Sequence, residues 1–120
     1  MKRDMELIKF LLGEMENCSA DEAYNPAVES LPALFKTTQN ELNQHCRLIF
    51  ERGLAVGESN RAGWVFTRLT WDGHDFLDNS RNSEVWQATK RVAGNLSFDV
   101  FVKVLVEVAS RWALSQLTGF

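Results

Sequence analysis

Residues 51–78, "ERGLAVGESNRAGWVFTRLTWDGHDFLD", decide the fold. Gly53 is a natural left-handed stop for a helix, with apolar Leu54 just beyond it. "LAVGES" then reads as a short strand and "NRAG" as a turn. "WVFTRL" reads as a second strand, rich in aromatic and β-branched residues. The result is a hairpin directly after a helix. Thr70 is placed to cap a new helix, with Trp71 first, Asp72 second and Gly73 third. Asp72 then lies beside free backbone amides, where a carboxylate is favoured. Gly73 is expected to permit close approach to the preceding strand. Phe76 and Leu77 turn inward, while His74 and Asp78 share an exposed edge.

Upstream, the spacing predicts a helix over 38–52. Thr38 and Glu41 form a capping box. Leu42, His45 and Ile49, with Cys46 and Leu48, make its buried side. A first helix is predicted over 4–16, with Met5, Ile8, Leu12 and Met15 at helical spacing. "NCSADEAYNP" has the composition of a loop. In "PAVESLPALFK", Pro26 can open a helix and Pro32 breaks one. A short helix stopping near Leu31, or an extended piece, is expected there.

Downstream, a helix capped by Ser83 is predicted to run to Ala93, with Lys90 and Arg91 near its negative end and Gly94 after it. A last helix, capped by Ser97, runs to about Leu117. Its charges Asp99, Lys103, Glu107 and Arg111 fall at steps of four with alternating sign. Phe101, Val102, Leu105, Val106, Trp112 and Leu114 leave most of the remaining circumference apolar. Four charges exclude a membrane span. Such a helix needs partners on several sides, which points to a homodimer through it.

The chain has 120 residues, which suits one domain. Residues 1–80 form the expected core, and 81–120 a helical extension that packs on it or forms a dimer interface. Charged residues make up 24% and hydrophobic residues 45%, as in an ordinary globular protein. Net charge is −3, so nucleic-acid binding would need a local basic face. The two cysteines, Cys18 and Cys46, make no C-x-x-C pair, which fits a reducing cytoplasm. Acids at Asp4 and Glu6 in "MKRDMELIKF" argue against a signal peptide.

Gly53-Leu54-Ala55, a hairpin, and then Leu69-Thr70 with Gly73 and Leu77 together resemble a winged helix-turn-helix domain. The fold class expected is mainly α with a small antiparallel β-hairpin, winged helix-turn-helix-like, with extra C-terminal helices. "MKRDMELI", "RLTWDGHDFLD", "VWQATK" and "LSFDV" also resemble a family of uncharacterised bacterial and phage-borne proteins, a domain of unknown function. That family has H-L-x-L-L and A-G-L in its central helix. Here His45-Cys46-Arg47-Leu48-Ile49 and Arg52-Gly53-Leu54 stand in those places, departing at Cys46 and Arg52. The resemblance implies a winged-helix-like fold and no activity.

Three constellations bear on chemistry. His74 with Asp72, Asp75 and Asp78 lacks the further His or Cys cluster that would close a metal site. His45 and Cys46 are helix neighbours about 100° apart, so they do not face each other as nucleophile and base. No catalytic residue, metal or cofactor is therefore expected, and the chain is not read as an enzyme. The outer side of 39–52 is the third. Gln39, Asn40, Asn43 and Gln44 are amides of the type that pair with adenine, and Arg47 of the type that pairs with guanine. Lys36 and Arg61 can reach phosphates. Against this stand Glu41, Glu51 and Glu58 and a thin basic patch. Duplex DNA is the expected partner of a regulator, and a protein-interaction module without DNA is the alternative.

Overall fold

The computed structural model describes residues 2–19 and 21–118. The elements in order are α1 (Met5–Asn17), a 3-10 turn (Val28–Ser30), α2 (Gln39–Glu51), β1 (Ala55–Asn60), β2 (Gly63–Leu69), α3 (Trp71–Ser80), α4 (Ser83–Ala93) and α5 (Phe98–Thr118). The fold is mainly α with one two-stranded antiparallel sheet, a winged-helix-like arrangement. The chain divides into two compact units, Met1–His74 and Asp75–Phe120, with the boundary inside α3.

In the first unit, α1 starts where Asp4 accepts from the amides of Glu6 and Leu7 at 3.0 and 3.2 Å. This satisfies donors that a helix start leaves open. α1 packs on α2 and β2 through Leu7, Ile8, Leu11 and Leu12, which are fully buried. α2 contributes Leu42, Cys46 and Ile49, and β2 contributes Trp64 and Phe66. A buried Leu contributes on the order of 1.5–3 kcal/mol. The segment before α2 resolves as the 3-10 turn ending at Ser30. Leu31 is extended (φ −82, ψ 146), as the residue before Pro32 tends to be.

β1 and β2 pair from Ala55↔Leu69 to Asn60↔Gly63, with a bulge after Val56. Thr67 is the extra residue there, and its hydroxyl donates to the Val56 carbonyl at 3.2 Å. Tyr24 adds a one-residue third strand, exchanging two 2.8 Å backbone bonds with Phe66. The surrounding composition gave only a loop, because a single bridging residue leaves no periodic pattern.

Gly53, at φ +75, ends α2 in the left-handed region, which glycine adopts without a Cβ clash. The Leu54 carbonyl accepts from the Thr70 amide at 3.0 Å. The Thr70 hydroxyl donates to the Gly53 carbonyl and accepts from the Gly73 amide at 3.1 Å. One threonine thus caps α3 and ties its start to the end of α2. A Cβ on Gly73 would lie 1.9 Å from the Leu54 carbonyl oxygen. The close approach expected of Gly73 is therefore to the residue before β1, not to β2. Ala55 pairs with Leu69, so the two feet of the hairpin stand together and the residue before β1 lies beside the start of α3.

In the second unit, Phe76 packs against Trp86, Phe98 and Phe101 with centroids 5.9–6.4 Å apart. Trp86 meets Phe101 edge-on at 5.5 Å. Such tilted pairs suit the ring quadrupoles. α4 is capped by Asn82, whose side chain accepts from the Val85 amide at 3.2 Å. This corrects the expected cap at Ser83, which is the first helical residue; Asn and Ser both cap well, and they are adjacent here. Ser97 caps α5, accepting from the Val100 amide at 3.2 Å. Asp99–Lys103 and Glu107–Arg111 close at 2.9 and 3.0 Å, two rungs of the predicted ladder. Among the described residues, no helix is long and apolar enough to cross a membrane.

Candidate nucleic-acid interface

α2 begins at Thr38, whose hydroxyl accepts from the Glu41 amide at 3.2 Å and donates to the Glu41 carboxylate at 3.3 Å. Its burial alternates at helical spacing. Leu42, His45, Cys46 and Ile49 are buried; Gln39, Asn40, Gln44 and Arg47 are exposed; Asn43 is half-buried. Gln39 Nε2 donates to Asn43 Oδ1 at 3.0 Å, so these two amides act as one unit.

The hairpin turn presents the second element. Asn60 Oδ1 accepts from the Ala62 amide at 2.8 Å, and Gly63 at φ +114 completes the reversal. This turn chemistry holds Arg61 at the tip, exposed.

Between α2 and the turn runs an open groove of about 440 Å³. Gln39, Asn43 and Arg47 line it from α2, Asn60 and Arg61 from the turn, and Glu29 from the 3-10 turn. Among the described residues, neither the Arg47 nor the Arg61 guanidinium makes a hydrogen bond or ion pair. Four of the seven residues expected to touch DNA thus share one groove. Lys36, Asn40 and Gln44 are exposed but lie outside it. Arg68 is also outside, and its guanidinium donates to the Leu69 carbonyl. Asn60 and Glu29 were missed from the sequence. Asn60 carried a signal, as the first residue of an Asn-x-x-Gly turn; Glu29 carried none, because its place depends on how the 3-10 turn returns past α2.

A sequence profile described as "Hypothetical protein (DUF2513)" matches residues 2–98. The chain belongs to this family. The match takes in α1 to α4, with every residue of the groove, and ends where α5 begins. The chain is also similar to a protein of Haemophilus influenzae named "Uncharacterized protein", at 32% identity over 114 residues, covering 91% of this chain and 92% of the relative. No solved structure matches it significantly.

Asp72 lies in the first turn of α3, and His74, Asp75 and Asp78 are exposed along it. Asp78 approaches Arg81 at 3.9 Å. Among the described residues, no three His, Cys, Asp or Glu side chains are placed to hold a metal ion. Burial pushes the Cys46 thiol up to about 12, away from reactive thiolate. His45 has both ring nitrogens engaged, Nδ1 with the Glu41 carbonyl at 2.7 Å and Nε2 with the Asp4 amide at 2.9 Å.

Proposed function

We propose that this member of the family is a non-enzymatic regulator that binds duplex DNA, with α2 in the major groove and the 60–63 turn on the backbone. The observation that carries the reading is the pair Arg47 and Arg61. They come from two elements, make no pair with a carboxylate among the described residues, and line one polar groove. An unpaired guanidinium is a ready bidentate partner for phosphate or for the guanine edge. With a net charge of −3, attraction to DNA has to come from a local basic face such as this one. Free thiols at Cys18 and Cys46 fit a cytoplasmic setting.

The test is a fluorescence-anisotropy titration of a labelled duplex at several salt concentrations. Two phosphate contacts give a slope of log K against log salt of about −2. The absence of binding to any duplex at low salt overturns the reading.

A second reading rests on α5. Leu105 and Phe101 are buried, but Val106 is 52%, Leu114 60% and Leu117 67% exposed. With Ser110 and Ala113, these residues form one stripe at helical spacing, also exposed. Such a stripe suits a second copy of the chain in a two-fold dimer. The same stripe suits a protein partner if the chain is an interaction module rather than a DNA binder.

A further inference from the structure

We infer that the groove between α2 and the hairpin turn holds one phosphate strand of the duplex, while base reading falls to Asn40 and Gln44 outside it. This rests on the DNA-binding reading above and divides its contacts into two classes.

The division follows from the helix geometry. At about 100° per residue, Asn40 and Gln44 point within about 30° of directly opposite the buried Leu42–His45–Cys46–Ile49 side. With exposed Arg47 and Glu51, which point the same way within about 30°, they form the outermost ridge of α2, the part that goes deepest when a helix enters a major groove. Gln39 and Asn43 lie about 70–110° away from that direction, toward the hairpin turn. They line the groove and are spent partly on each other at 3.0 Å. Arg47 stands at the edge of that outer ridge nearest the hairpin turn and also lines the groove. A surface that has a helix in the major groove and a turn beside it straddles the strand that separates major from minor groove. The residues between helix and turn therefore meet phosphate and sugar. The groove is chemically suited to that: two guanidiniums and the amides of Asn43 and Asn60 supply donors. Asn40 and Gln44, each with a donor and an acceptor on one amide, have the pattern that pairs with adenine N6 and N7.

Glu29 lines the same groove and makes no ion pair among the described residues. A carboxylate there opposes a phosphate. Removing its charge is therefore a probe that a solvated surface would not answer.

The experiment measures binding of the full chain to a randomised duplex library, and to single duplexes across salt, for four variants. Arg61→Ala is expected to lower affinity about three- to tenfold on every duplex and to reduce the salt slope by about one. Glu29→Gln is expected to raise affinity on every duplex by a similar factor. Asn40→Ala and Gln44→Ala are expected to leave the salt slope unchanged and to lose about tenfold preference for A·T pairs at one or two positions. The assignment is overturned if Arg61→Ala changes the sequence preference, if Glu29→Gln leaves affinity unchanged, or if Asn40→Ala and Gln44→Ala weaken all duplexes alike. A parent chain that binds no duplex defeats the DNA-binding reading itself, a result distinct from these. Circular dichroism of each variant separates loss of contact from loss of fold.

Discussion

The backbone amide of Asp4 donates to Nε2 of His45 at 2.9 Å, joining the cap of α1 to the middle of α2 across 41 residues of sequence. His45 is 1% exposed. Because Nε2 accepts, the ring proton sits on Nδ1 and is donated to the Glu41 carbonyl at 2.7 Å. Two-bond ¹H–¹⁵N spectra are expected to show His45 as the Nδ1–H tautomer. His45→Ala leaves the Asp4 amide without its partner and opens space in the core. It is expected to cost about 2–3 kcal/mol, read from the urea midpoint. A loss under about 0.5 kcal/mol contradicts the proposed link.

Gly73 and Thr70 make the junction between α2, the hairpin and α3. Gly73→Ala places a Cβ against the Leu54 carbonyl, a backbone atom that cannot swing aside. The expected destabilisation is about 1–3 kcal/mol or more. Thr70→Val removes the cap on Gly73 and the bond to the Gly53 carbonyl while keeping the shape. About 1–2 kcal/mol is expected for it. At Gly13, where a Cβ meets nothing within 4 Å, alanine should be tolerated or mildly stabilising. Thermal melts of the three variants check the order.

Thiol labelling separates the two cysteines. Cys46 is fully buried and its thiol is pushed up to about 12 by burial, whereas Cys18 is half-buried. In the native protein near pH 8, one thiol per chain is expected to react quickly with iodoacetamide, and peptide mapping should place it at Cys18. Both should react after unfolding. Rapid native labelling of Cys46 contradicts the packing described.

The exposed stripe of α5 gives a prediction on assembly. If a second copy covers it, Leu114→Lys with Leu117→Lys should shift the protein from dimer to monomer in sedimentation while leaving the helix content unchanged. A parent chain that is monomeric at all accessible concentrations removes the homodimer and leaves the stripe to another protein.

The parts of this fold that were legible in the sequence are those fixed by near neighbours. Thr38 with Glu41, Gly53 before Leu54, and Thr70 with Gly73 each settle a helix end within a few residues. What the sequence did not show depends on long separations. The Tyr24–Phe66 bridge needs a partner 42 positions away, and no local pattern announces it. The groove depends on the hairpin register that places the turn beside α2. Helix periodicity alone put Gln39, Asn40, Asn43, Gln44 and Arg47 on one polar side, but only the register shows that Gln39, Asn43 and Arg47 share a groove with Arg61 while Asn40 and Gln44 do not. Lys36, in the segment before α2, also stands outside the groove.

The central claim, that α2 and the hairpin turn form a DNA-binding surface, is tested most directly by titrating ¹⁵N-labelled protein with a short duplex and mapping the shifts. The account predicts perturbation of backbone amides over 39–47 and 60–63 and of the Arg47 and Arg61 guanidinium signals, reversed by added salt. Shifts confined to α5 or to the His74 edge of α3, or no shifts at low salt, contradict it.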